Sequence, residues 1–260
     1  MLMRNIKMTL SYDGTAYHGF QDQGPGIPTI QRSLETAIHK LTGERLRVTG
    51  AGRTDAGVHA LGQVINIRTS GSIPVERWPY ALNAVLPQDI VVRDARVVHP
   101  DFHAQYWARK KRYRYTIDNG PVPCVFRRRY AYRVYHALDV EAMAEAASLL
   151  EGRHDFAAFR SVGSGVESTV RTLYELRVER CGDMIQITAC ADGFLYNMMR
   201  IIVGTLLEVG KSKRPPKWVK EVLMSRQRHL AGPTVPGLGL CLMEVIYDDD
   251  ADQHSNDSAR

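Results

Sequence analysis

No apolar run in this 260-residue chain is long enough for a membrane-spanning helix, which needs about 20 residues. No membrane contact is expected. The opening stretch, MLMRNIKMTL, lacks the apolar core and small-residue cleavage site of an export signal. It reads as a first strand, and the expected compartment is the cytoplasm. Cysteine is scarce. Cys124, Cys181, Cys190 and Cys241 stand 57, 9 and 51 residues apart with no CxxC pair, so neither a zinc site nor a redox dithiol is supported. His18, His59, His103 and His154 are scattered without HxxxH or HxH spacing, so no metal is expected. No phosphate-cradling glycine loop is present either, and no small-molecule cofactor is expected.

What the chain does have is positive charge. The net is +6, and residues 248–260, DDDADQHSNDSAR, carry five Asp against one Arg, leaving +10 for the rest. A basic body suits a polyanionic partner through phosphate neutralisation. The acidic tail has no apolar periodicity and is expected to be disordered.

Periodicity sets out the elements. Ile6 to Tyr12 reads as a strand stopped by Asp13-Gly14. Ile30, Leu34, Ile38 and Leu41 mark a helix closed by Gly43. Leu46 to Thr49 and Val64 to Arg68 read as strands, Pro74 to Leu86 as a helix, and Ile90 to Val98 as a strand. The grammar then repeats. A strand over Arg112 to Ile117 precedes a helix over Leu138 to Leu150. Strands over Leu173 to Arg180 and Met184 to Ala191 follow, then helices over Leu195 to Val209 and Trp218 to Met224, and a last strand over Leu240 to Tyr247. Both halves have roughly the order β-α-β-β-α-β, the split βαβ unit. The expected class is α+β with two ferredoxin-like halves, residues 1–104 and 105–247, followed by the tail 248–260.

Three segments carry candidate chemistry. In GAGRTDAGVHA, Gly50 to Ala60, Arg53 and Asp55 sit among glycines that permit positive φ and close backbone approach. Asp55 is either the cap of a local turn or a reactive group offered to a ligand. Phe194 to Val209 is apolar apart from Arg200 and Glu208. It reads as a buried helix in which the Arg200 guanidinium needs a partner, because an unpaired buried charge is costly. Arg109 to Arg133 holds nine Lys/Arg against one acid, Asp118, with Tyr113, Tyr115, Tyr130 and Tyr132 interleaved. Arginines contact phosphates and tyrosines stack on unpaired bases; a solvated basic face over core tyrosines is the plainer reading. On an alternating strand Arg112 and Arg114 share one face, and Lys111, Tyr113 and Tyr115 the other. Arg171 stands in a segment without regular periodicity, as either a phosphate contact or an ordinary surface residue.

These blocks carry a resemblance. GRTDAGVHA is similar to the signature of the bacterial tRNA pseudouridine synthase A family. YDGTAYHGFQ (Tyr12 to Gln21), ARKKRYRY (Ala108 to Tyr115), GFLYNMMRIIVGTLLEVG (Gly193 to Gly210) and GLGLCLMEVIY (Gly237 to Tyr247) resemble its other blocks, in order. The acidic tail has no counterpart. The resemblance implies a pseudouridine synthase fold with a mainly antiparallel sheet and a central RNA-binding cleft. It also implies a homodimer whose subunits both contact one tRNA, and action on uridines 38, 39 and 40 of the anticodon arm. It makes Asp55 the catalytic residue, by attack on C1′ or C6 or by elimination to a glycal. Tyr113 becomes the tyrosine that stacks on the flipped uracil, and Arg200 the arginine paired with the catalytic Asp. Arg53 becomes the loop arginine that replaces the flipped base, with Lys110, Arg112 and Arg171 contacting RNA. The rival from another class is a non-catalytic RNA-binding module, which needs neither a presented acid nor a buried arginine.

Overall fold

A computed structural model of the chain describes residues 3–161, 163 and 167–248. The chain runs β1 (Arg4–Tyr12), α1 (Ile30–Thr42), β2 (Thr49–Gly50), β3 (His59–Thr69), α2 (Trp78–Asn83) and β4 (Ile90–Val98). It continues β5 (Lys110–Asp118), β6 (Tyr132–Arg133), α3 (Val140–Ser148), β7 (Gly152–Asp155), β8 (Val170–Cys181), β9 (Met184–Ala191), α4 (Met198–Gly210), α5 (Trp218–Ser225) and β10 (Leu240–Ile246). The elements pack as two units, one of residues up to Arg109 with those from Leu242 on, the other Lys110–Cys241.

In the first unit, Ile6, Met8 and Leu10 alternate along β1 and are fully buried, as a strand with one face on a core requires. β1 lies antiparallel between β3 and β4, and β2 pairs with β3. The order β4-β1-β3, with β2 on β3, is that of the split βαβ unit. α1 begins where Thr29 Oγ1 accepts the Arg32 amide hydrogen, a side-chain N-cap. It ends at Gly43, whose φ of 74° only glycine adopts freely. Ile30, Leu34 and Ile38 bury its inner face.

The second unit has the antiparallel order β5-β9-β8-β7. α3 starts at Asp139, whose Oδ1 accepts from the Ala142 amide at 2.9 Å. α3 approaches α4 at Gly210, where a Cβ would come within 2.5 Å of Met143 Sδ. Most of α4 is buried, as its near-continuous apolar sequence demands.

Several boundaries differ from the sequence reading. The strand read from Leu46 is only Thr49–Gly50, whereas β3 starts at His59, five residues before Val64. Backbone pairing with β1 carries it through glycine that no β-propensity scale favours. The helix read over Pro74 to Leu86 is a 3-10 turn, Val75–Arg77, followed by the short α2. Asn83 ends it by bonding both the amide and the carbonyl of Val92. β7, unseen in the sequence, is hydrogen-bonded to β8. The division falls after Arg109 rather than at 104, and the final strand, read with the second half, lies with the first unit from Leu242 on, where β10 borders β3. Of the tail 248–260, Asp248 is described and pairs with Arg109 Nε at 2.7 Å; the remainder lies outside the described residues.

Candidate active site

The acidic loop is built by glycines on a neighbouring segment. Gly19, at φ 93°, lies so close that a Cβ would stand 2.5 Å from the Thr54 carbonyl oxygen. The next residue, Phe20, donates its amide hydrogen to that oxygen at 3.0 Å. A Cβ on Gly14 would stand 2.0 Å from the Val58 carbonyl oxygen, and the Gly14 amide donates to His59 Nδ1 at 3.0 Å. Gly57 donates to the Tyr17 carbonyl at 3.2 Å. The segments Tyr12 to Gln21 and Gly50 to Ala60 are therefore one structure, and bulk at either glycine would separate them.

Asp55 opens a turn. Its carbonyl accepts the Val58 amide hydrogen at 3.1 Å, and Gly57 takes φ 72°, the conformation that favours glycine. Backbone closes the turn. The residue is half-buried, Arg53 before it is exposed, and Thr54 between them is buried. Thr54 Oγ1 meets Tyr12 Oη at 2.8 Å. Gln63 Nε2 reaches both Tyr12 Oη (3.3 Å) and the Gly52 carbonyl (2.9 Å). A buried polar network thus holds the backbone on both sides of Asp55.

In the second unit, Tyr113 lies on β5 opposite Ala189 of β9. It is nearly buried, with its ring edge-on to Phe194 at 4.9 Å, a favoured aromatic geometry. Tyr115 differs: its hydroxyl donates to the Pro236 carbonyl at 2.9 Å, and burial pushes its phenol far above the usual range. It is the structural tyrosine of the pair.

Arg200 is not in the middle of a buried helix. Asn197 takes φ 61°, a left-handed conformation that asparagine tolerates, so α4 begins at Met198 and Arg200 is half-buried in its first turn. A cation there opposes the helix dipole by about 0.3–1 kcal/mol, so helix stability is not what places it. Its Nε donates to the Val235 carbonyl at 2.7 Å and its Nη1 to Asn197 Oδ1 at 2.6 Å. Asn197 Nδ2 donates in turn to Ser161 Oγ at 2.9 Å. Gly204 holds the Val235 segment close, since a Cβ there would stand 1.8 Å from the Pro233 carbonyl oxygen.

The basic block divides. Arg127 and Arg133 face the buried Asp118 at 3.6 and 3.3 Å and hold the chain between β5 and β6. Lys110 Nζ lies 4.4 Å over the Tyr174 ring, and Arg112 lies 3.6 Å from Glu175. Arg171, read as a loop residue, is on β8 opposite His154 of β7. Phe194 and Asn197 were not singled out in the sequence, although both lie in the block around Arg200.

The mainly antiparallel sheet and the helices packed on it define an α+β protein. A family model described as tRNA pseudouridine synthase matches residues 8–107 and 146–248. These segments include Asp55 and Arg200; Tyr113 falls between them. The chain is 49% identical over 245 residues to the tRNA pseudouridine synthase A of Brevibacillus brevis, covering 94% of this chain and 100% of that one. The enzyme of the same name from Acetivibrio thermocellus matches equally, at 49% over 94% and 100%. That of Moorella thermoacetica is 50% identical over 93% of this chain and 99% of its own. The chain belongs to the tRNA pseudouridine synthase family and is an isomerase that converts uridine to pseudouridine.

Proposed function

We propose that the chain isomerises uridines 38, 39 and 40 in the anticodon arm of tRNA, with Asp55 as nucleophile. The observation that carries this reading is the turn at Asp55. It presents a half-buried carboxylate on a backbone held by Thr54, Gly57 and Gly19, inside the segment matched by the family. Isomerisation breaks the bond from ribose C1′ to uracil N1 and forms one from C1′ to C5; the C5 proton leaves and N1 gains one. A carboxylate can attack and hold the intermediate covalently. In this reading Arg200 keeps Asp55 ionised, and Tyr113 packs on the flipped uracil and assists loss of the C5 proton. Arg53 fills the place the base has left, and Lys110, Arg112 and Arg171 meet phosphates. The protein acts in the cytoplasm as a homodimer and needs no cofactor.

Asp55→Asn tests the reading. The amide keeps the shape and is a poor nucleophile. Pseudouridine formed in unmodified tRNA, measured by nucleoside analysis, should fall more than about a hundredfold. tRNA affinity, resting on the basic surface, should survive. Turnover above that level would remove Asp55 as nucleophile.

A further inference from the structure

Two cations of the second unit share one face of its sheet with no acid between them. Lys111 of β5 stands opposite Ala191 of β9, and Leu173 of β8 stands opposite the same Ala191. Paired residues on neighbouring strands point to the same face, as do residues two apart on one strand. Lys111, Leu173, Arg171 and Tyr113 therefore share a face. Gly193 makes room for the guanidinium: a Cβ there would lie 3.2 Å from Arg171 Nε and 3.5 Å from its Cδ. Arg171 Nη1 donates to the carbonyls of Ser168 (3.0 Å) and Val170 (2.6 Å), which carry no charge. The Lys111 side chain makes no ion pair or hydrogen bond among the described residues.

Two acids near this face have other partners among the described residues. Glu175 on β8 takes Arg112 and Arg177 at 3.6 and 3.0 Å. Asp192, just past β9, accepts the Thr172 amide at 3.0 Å. Lys110 and Arg112 flank Lys111 on its own strand. Burial, and then the charge of Arg171, push the Lys111 ammonium down to about 8. Holding two like charges together in a half-desolvated place is unfavourable in the free protein. An anion seated between them would reverse the sign.

We propose that Lys111 and Arg171 form the seat of a single RNA phosphodiester, the linkage adjoining the target uridine. The assignment to that linkage rests on the proposed role of Tyr113, which stands two residues from Lys111 on the same face, about 7 Å along the strand. A phosphate bridging the two side chains satisfies both cations at once and takes the place of the missing carboxylate.

The test uses the full chain with anticodon-arm hairpins, each carrying one uncharged methylphosphonate linkage, against wild type, Lys111→Met and Lys111→Arg. At one linkage beside the target, neutralisation should weaken wild-type binding about tenfold and cost Lys111→Met nothing further. Wild-type affinity should also fall between about pH 7 and pH 9, as Lys111 loses its proton, while Lys111→Arg, which stays charged, should not share that fall. If wild type makes pseudouridine in these hairpins but every linkage costs wild type and Lys111→Met equally, the phosphate seat is overturned and the reading of the active site stands. If wild type makes none in any hairpin or in tRNA, the proposed function fails and takes the seat with it.

Discussion

Tyr12 Oη lies 2.8 Å from Thr54 Oγ1, one residue before Asp55, and both side chains are buried. This bond ties the end of β1 to the acidic turn, so the core strand positions the carboxylate. Tyr12→Phe leaves the Thr54 hydroxyl and the Gln63 amide each one partner short, which should cost about 1–3 kcal/mol. The melting temperature should fall by several degrees. Turnover should fall about tenfold with KM little changed, because a displaced turn harms chemistry more than binding. The double variant Tyr12→Phe/Thr54→Val should lose less stability than the two single losses combined. Additive losses would show that the two hydroxyls are not coupled.

Arg200→Met keeps the volume and removes the charge. The side chain is also a hydrogen-bonding clamp on Val235 and Asn197, so two acceptors lose their partner. Stability should drop about 1–3 kcal/mol. Turnover should fall more than a hundredfold, or about 3 kcal/mol in barrier, if Arg200 holds the catalytic carboxylate ionised. Wild-type turnover in a folded, destabilised Arg200→Met would leave the residue purely structural. Calorimetry and single-turnover kinetics on one preparation separate the two.

Gly204→Ala should be among the most damaging small substitutions in the second unit. The new methyl would meet the Pro233 carbonyl oxygen at 1.8 Å, and backbone cannot swing aside as a side-chain tip can. Overpacking of this kind costs about 1–3 kcal/mol. The segment that moves carries Val235, so Arg200 loses an anchor and turnover should fall with stability. A Gly204→Ala protein with unchanged melting temperature would show that the segment relaxes freely.

Glu44 accepts hydrogen bonds from the Thr69 and Ser70 hydroxyls and from the Ser70 amide. These, that from Thr69 first, hold its carboxyl below the usual glutamate range. A lowered folded-state pKa contributes stability that is present at neutral pH and lost as pH falls through it. Glu44→Gln should therefore be less stable than wild type at neutral pH, and the two should converge in acid. Urea unfolding from about pH 7 to about pH 3 reads this. A constant difference across that range would exclude the carboxylate charge as the cause.

α1 was legible because both its signals are local: Ile30, Leu34 and Ile38 recur at helical spacing and Gly43 stops the chain. The α+β class followed from such periodicities, and the mainly antiparallel sheet from the family resemblance. The start of β3 was not legible, because HALG owes its strand conformation to its partners on β1. β7 and the placement of Arg171 on β8 failed for the same reason: each edge is defined by the other's hydrogen bonds. Arg200 was misplaced along its helix because apolar periodicity continues upstream through Leu195, while one left-handed residue, Asn197, sets the actual start.

The sequence by itself determined the family and singled out the Asp55 loop with the glycines that surround it, because turn chemistry and motif spacing are written in neighbouring residues. Tertiary structure alone decided that Gly14 and Gly19 wall the Asp55 turn. It decided that Asn197 and Val235 clamp Arg200, and that Lys111 and Arg171 share a face across Ala191. Those relations depend on strand register and close backbone approach between segments distant in the chain. A shift of one residue in register would turn every side chain to the other face, and no local pattern encodes that choice.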